Sequence, residues 1–210
     1  NPDWGLRRME HLKDRAEAVG LFFQDRFPMP SNNLSLVFRK KPVGLLIREA
    51  SEQDYAALGD LLVAAFVDTY AEKMPEVKMS DRRRAELRDF SLKAGQGTSW
   101  VAEFGGEVVG TVYAVRPGAV GTLSWLPDFA EIKHLAVVPR YRRSGISEAL
   151  MEHVYGAIRK WGGRGACLHV RQGAAGVARF YEELGFVRCP AGDFDRLPEV
   201  FLHAYFKTLM

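Results

Sequence analysis

Val138-Pro139-Arg140-Tyr141-Arg142-Arg143-Ser144-Gly145-Ile146-Ser147-Glu148-Ala149-Leu150 decides how this chain folds, because it joins an apolar strand to an amphipathic helix through a basic turn containing glycine. Residues 132–138 read as the strand, which stops at Pro139, a residue with no amide hydrogen to give to a ladder. Downstream, apolar residues recur at Ile146, Leu150, Val154, Ala157 and Trp161, which is helical spacing. A helix starting near Gly145 leaves its first amides without carbonyl partners, their dipoles aimed at whatever precedes the turn. Phosphate suits that position. Gly145 lets the backbone approach a ligand closely, and Arg142 and Arg143 add positive charge where diphosphate oxygens would lie.

Strand and helix patterns alternate on both sides of this turn. Residues 45–48 read as a strand, and Ser51-Glu52-Gln53-Asp54 is a capping-box start for a helix burying Tyr55, Leu58, Leu62, Ala65 and Phe66. After the loop at Lys73-Met74-Pro75, Ser80 caps a polar helix reaching about Ala94. Residues 100–104 and 108–115 flank Gly105-Gly106, a hairpin signal. The long helix ends before Gly162-Gly163-Arg164-Gly165, which lacks the Lys and Ser/Thr of a P-loop and reads as a C-terminal helix turn. A strand at 167–170, a helix at about 176–184 and strands near Phe186 and over 200–206 complete the pattern. Residues 1–42 read differently, as an added arm. Leu6, Met9, Leu12, Ala16 and Val19 keep helical spacing, residues 27–33 break regular structure, and 34–38 form a short strand.

With 210 residues, 47% of them hydrophobic, the chain can bury one substantial core, so residues 43–210 read as one domain. The net charge of +3 is concentrated in Arg82-Arg83-Arg84, a solvated helix face, and in the run from Arg140 to Arg143. Neither makes the broad basic surface that nucleic-acid binding needs. Cys167 and Cys189 have no metal-type spacing and suggest no disulfide framework, which fits a reduced cytoplasm. The most apolar window, 58–67, is too short to span a bilayer, so no membrane partner is expected. His11, His153, His169 and His203 share no metal-ligand spacing and read as structural or exposed; no metal is expected.

At Arg142, Arg143-Ser144, Gly145, Ile146 and Ser147 the chain resembles the GCN5-related N-acetyltransferases (GNAT), whose signature is Arg or Gln, two residues, Gly, one residue, then Gly or Ala. Ser147 departs from the last position, although a hydroxyl at a helix N-terminus can itself donate to phosphate. Phe180-Tyr181-Glu182-Glu183-Leu184-Gly185-Phe186 looks like the family's late helix and final hairpin, and the resemblance covers residues 43–210. It implies an α/β acyl-CoA N-acyltransferase fold, a mixed, mostly antiparallel sheet splayed open to admit acetyl-CoA, with helices on both faces. It implies that the backbone of Leu135, Ala136 and Val137 pairs with the pantetheine arm of this cosubstrate, while Arg142, Arg143, Ser144, Gly145, Ile146 and Ser147 hold its diphosphate.

Direct acetyl transfer in a ternary complex needs a deprotonated amine, a stabilised oxyanion and a proton for the thiolate. Ala130-Glu131-Ile132 resembles the segment carrying the general-base glutamate of the histone-acetylating branch; the alternative is a carboxylate bonded to solvent or to Lys133. Tyr181 sits where the family places a tyrosine near the coenzyme A sulfur and is the candidate acid; the alternative is an aromatic packed beside Phe180 and Phe186. The strand period of two puts His134 on the face opposite Glu131. Ala174 stands where relatives often carry an Asn seven residues before the Tyr, which removes one contact to pantetheine. Asp68, Glu72, Glu76, Asp193, Asp195 and Glu199 are loop acids that could attract a cationic amine, with solvated loop charge the alternative. The acceptor, a small-molecule or peptide amine, is not readable from fold and motif, and oligomeric state stays open, a homodimer included. The rival reading is a non-catalytic acyl-CoA-binding or sensing module acting through a protein partner.

Overall fold

The computed structural model describes residues 8–31, 33–40, 42–68, 80–90, 97–197 and 200–209. The N-terminal arm holds α1 (Met9–Glu17) and a hairpin of β1 (Leu21–Met29) and β2 (Asn33–Lys40), which pair with each other and with no other described strand. Leu6 lies outside the described residues. The expected break at 27–33 is corrected in part: Phe27 pairs with Ser35 and Pro28 with Leu34, so the strand runs on to Met29. A proline is tolerated because both strands are edges, where a missing amide hydrogen need not face the partner.

The domain continues with β3 (Leu46–Glu49), α2 (Tyr55–Val63), α3 (Asp81–Arg88), β4 (Thr98–Phe104), β5 (Glu107–Val115), β6 (Phe129–Val137), α4 (Ile146–Lys160), β7 (Gly165–Arg171), α5 (Ala175–Glu183), β8 (Val187–Arg188), β9 (Phe194–Leu197) and β10 (Val200–Thr208). The sheet order is β3-β4-β5-β6-β7-β10-β8, with β9 also on β10. Every pair is antiparallel except β6 with β7, which α4 joins as a crossover. That parallel pairing runs from Phe129↔Gly165 to Ile132↔Leu168 and stops. Beyond it, residues 133–137 follow β5 alone, so the sheet is splayed from Ile132 onward, as the resemblance implied.

Helices cover both faces. Ile146, Leu150, Val154 and Ile158 of α4 are fully buried against Trp100, Val112, Ile132, Val137 and Leu168. Each such side chain contributes about 1.5–3 kcal/mol on leaving water. On the other face Leu58 and Leu62 of α2 pack with Val101, Leu87 and Ala136, while Tyr55, Ala65 and Phe66 cover the edge of that cluster. The capping box forms: Ser51 N–H (2.7 Å) and the Ser51 hydroxyl (2.9 Å) both donate to Asp54 Oδ2, and Asp54 N–H closes the 3-10 turn on the Ser51 carbonyl (2.9 Å). Arg48 grips both Asp54 oxygens (2.8 and 2.9 Å) and Glu103 (3.0 Å), tying β3 to α2 and β4. Ser80 caps α3 by accepting from Arg83 N–H (3.2 Å), but the helix ends at Arg88, and residues 91–96 lie outside the described residues. Gly105 and Gly106 take φ of 61° and 81°, the double left-handed turn that a two-residue hairpin requires. Among the described residues no helix is long and apolar enough to cross a membrane.

Candidate functional site

Pro139–Tyr141 make one 3-10 turn after β6, then Arg143 and Gly145 both enter the left-handed region, at φ 59° and 79°. The Ser144 hydroxyl donates back to the Tyr141 carbonyl and closes the loop. The first intrahelical bond of α4 runs from Ala149 N–H to Gly145 O (3.0 Å), so the amides of Ile146 and Ser147 lie ahead of the hydrogen-bonded ladder. Ile146 is buried beside Gly110 and Leu150, so its side chain belongs to the core and only its amide is left to the turn. Arg142 and Arg143 are exposed beside this turn, and Arg142 Nε donates to the Val137 carbonyl (3.3 Å).

That carbonyl belongs to the free edge of β6. Val138 N–H donates to Val109 O (2.9 Å), so by the alternation of an antiparallel ladder the amide and carbonyl of Val137 point away from β5. Leu135 shares that direction by the period of two. Ala136 lies opposite Thr111 in the ladder and packs its methyl toward α2. The expected trio thus divides into two residues on the open edge and one behind them.

Between Tyr113↔Lys133 and Thr111↔Ala136, β6 holds one residue more than β5, and His134 absorbs it with φ of 54°. This corrects the expectation for His134. The bulge shifts the phase of the strand, and the imidazole stacks on Tyr113 (6.0 Å, 28°) with Phe66 edge-on (6.0 Å). Tyr113 faces the same way as its partner Lys133, which pairs with Glu131, so His134 shares the Glu131 face.

Glu131 is 2% exposed. Its Oε2 accepts from Leu123 N–H (2.6 Å), from the Thr122 hydroxyl (3.0 Å) and from Lys133 Nζ (3.1 Å). The carboxylate therefore anchors residues 116–128, the loop from β5 to β6, over this face. The loop carries no motif, and its role had no signal in the sequence. Cys167, opposite Glu131 in β7, donates its thiol to Ser124 Oγ (3.1 Å), and burial pushes that thiol up to about 12. Burial, then the Glu131 charge, also raises the Tyr113 phenol. Both groups are protonated at neutral pH.

Tyr181 lies on α5, 7% exposed, edge-on to Phe180 (5.2 Å) and Phe186 (5.5 Å). Ala174 precedes that helix as its N-cap. Of the loop acids, Asp193 is engaged by Arg188 (2.6 Å) and Ala204 N–H (2.9 Å), and Asp195 is exposed. Glu72, Glu76, Glu199 and the side chain of Asp68 lie outside the described residues. His153 packs on Trp100 and His203 on Phe201. A groove of about 250 Å³ between α2 and Val137–Pro139 is apolar apart from Asp60, which pairs with Arg88. Among the described residues no group of His, Cys, Asp or Glu could hold a metal ion.

Residues 43–186 match the profile of the Acetyltransferase (GNAT) family, and residues 1–40 that of a protein of unknown function, DUF938. The [ribosomal protein bS18]-alanine N-acetyltransferase of Escherichia coli strain K12 is 39% identical over 59 residues, 28% of this chain and 40% of that protein. The chain thus spans about two fifths of the curated relatives it matches. Among solved structures, a GNAT acetyltransferase from Staphylococcus aureus Mu50 superposes with a TM-score of 0.61 at 18% identity, over 80% of this chain and 100% of its own. The ribosomal-protein-S18-alanine N-acetyltransferase from Escherichia coli gives 0.55 at 18% identity, over 79% and 94%. Ard1 from Thermoplasma volcanium gives 0.55 at 21%, over 80% and 99%. At these identities the structures are evidence of shared fold.

Proposed function

We propose, because the chain belongs to the GNAT acetyltransferase family, that it transfers the acetyl group of acetyl-CoA directly to a primary amine. The observation that carries this reading is the fork in the sheet, where β6 loses β7 at Ile132 and its free edge runs into the amide-rich start of α4. An extended chain of amides adds to such an edge as a strand adds to a sheet. Leu135 and Val137 would exchange hydrogen bonds with pantetheine, with Ala136 packed behind them. Arg142, Arg143 and the Ser144 turn, with the amides of Gly145, Ile146 and Ser147, would take the diphosphate.

In the reaction the acceptor nitrogen loses a proton and bonds the acetyl carbon, the C–S bond breaks, and the sulfur gains a proton. Glu131 is the proposed base, reached through Thr122, whose hydroxyl can take the ammonium proton as it passes its own to Oε2. The Leu135 amide is proposed to stabilise the oxyanion, and Tyr181 to protonate the leaving thiolate. The alanine-acetylating relative supports the α-amine of a polypeptide N-terminus as the first acceptor class, ahead of small-molecule amines. The rival reading, acyl-CoA binding without turnover, is favoured by one observation, the three donors already on Glu131.

Calorimetry with acetyl-CoA tests the site. Binding should stabilise the protein by about 2.7 kcal/mol at one hundred times the dissociation constant, and Gly145→Glu should abolish it by filling the diphosphate position with like charge. Unchanged affinity in a folded Gly145→Glu protein would overturn the site. Release of free thiol with N-terminal peptides and polyamines separates enzyme from binding module.

A further inference from the structure

Two buried polar atoms with no role so far come together on the face that carries Glu131: Trp125 Nε1 and His169 Nδ1 have no hydrogen-bond partner among the described residues. Their rings stand 5.3 Å apart, edge to face. His169 is the first residue of β7 beyond its last pair with β6, and it lies two positions after Cys167, so it shares the face that carries Glu131. Its Nε2 lies 2.9 Å from the Gly192 carbonyl oxygen. An oxygen that can only accept fixes the proton on Nε2, and Nδ1 is left with a lone pair. Phe194 also packs edge to face with the imidazole, at 6.2 Å. Gly192 is what admits the indole, since a Cβ there would stand 2.2 Å from it. Trp125 itself comes from the loop that Glu131 anchors through Thr122 and Leu123.

We propose that Trp125 and His169 form the acceptor subsite, and that it takes the N-terminal residue of a polypeptide. The amine donates to His169 Nδ1, and the carbonyl of the same residue accepts from Trp125 Nε1–H. This rests on the acetyl-transfer reading and names its substrate class. An orphaned lone pair beside an orphaned donor is met by a ligand that offers an N–H and a C=O close together. An N-terminal α-amine has its carbonyl two bonds away, whereas a lysine ε-amine or a polyamine has none within reach. His169 lies about 7 Å along β7 from Cys167, which faces Glu131, so an amine on Nδ1 passes its proton to Thr122 and Glu131 through a bridging water. Entry parts the Trp125 loop from the Gly192–Phe194 segment, the two pieces of chain that close over the imidazole.

The test uses the full chain, ¹⁵N-labelled, with a pentapeptide bearing a free N-terminal alanine, the same peptide Nα-acetylated, and an Nα-acetylated peptide with one lysine. The free peptide should shift the His169 ring nitrogens and the Trp125 indole resonance, and the two blocked peptides should not. In turnover, His169→Gln and Trp125→Phe should each raise the peptide KM by roughly tenfold, the worth of one hydrogen bond, with kcat and acetyl-CoA affinity kept. Gly192→Ala, whose methyl displaces the indole while the backbone carbonyl that meets His169 Nε2 is kept, should do the same. Equal shifts with the blocked peptides, or no shift with the free one, overturn the subsite. Shifts without thiol release would sink acetyl transfer and leave the subsite standing; thiol release without shifts does the reverse.

Discussion

Glu131→Gln separates the loop anchoring seen at this carboxylate from the base role proposed for it. The amide keeps the shape and one acceptor oxygen, so Leu123 N–H and the Thr122 hydroxyl retain a partner. Lys133 does not: its ammonium, 3.1 Å from Oε2 and on a side chain only 24% exposed, loses its counter-charge. Loss of one charge-assisted hydrogen bond costs about 1.5–3 kcal/mol, which for a chain of this length lowers Tm by about 3–12 °C. As the base, Glu131 should also take kcat down by roughly 10²–10⁴-fold when replaced. Adding Lys133→Met removes the stranded charge and should return most of the stability and none of the rate. Thermal denaturation and steady-state thiol release read the two effects separately. If the double variant recovers rate along with stability, Glu131 acts by holding the loop and is not the base; a single variant with wild-type rate refutes the assignment outright.

Tyr181→Phe preserves the ring contacts with Phe180 and Phe186, so it should lower kcat by roughly 10²–10⁴-fold at unchanged acetyl-CoA affinity, and a neutral result assigns the residue to packing. Arg48 holds the Asp54 carboxyl well below the usual carboxylate range, helped by Ser51 and opposed by burial. Because the folded value lies below the unfolded value of about 3.9, this stabilisation is complete above that pH and is lost as pH falls toward the folded value. Asp54→Asn should therefore be less stable at neutral pH yet lose less between about pH 5 and 2.5, as urea midpoints would show; parallel curves would contradict it. A chain beginning at Val43 should fold and bind acetyl-CoA with full affinity, since the arm shares no strand with the main sheet among the described residues. Loss of affinity in a truncated chain with native circular dichroism would make the arm part of the site.

The elements legible in the sequence are those whose chemistry is local. Gly105-Gly106, the Ser51 capping box and the strand-turn-helix at Gly145 each carry their cause within a few residues. Period-two reasoning failed at His134 because a left-handed histidine leaves no mark in composition, and one extra residue reverses every side chain beyond it. Pro28 suggested a break because the text of a chain does not say which strands are edges. The burial of Glu131 depends on Thr122 and Leu123, nine and eight positions upstream in a loop without pattern, so its partners came only with the fold. The pairing of Trp125 with His169 spans two elements and was equally unreadable.

The short parallel seam between β6 and β7 has a consequence for how the protein opens. With the seam ending at Ile132↔Leu168, the sheet is two half-sheets that meet along one end, while α4 lies across both. Amides of residues 129–132 and 165–168 are the stitches, and each half can breathe without dragging the other through a full ladder. A chain of amides bound along the free edge of β6 would lengthen the seam from within the fork. Hydrogen exchange should then slow in β7 and β10 as well as in β6, and the bound chain of amides would serve, while it stays, as a missing strand of the sheet.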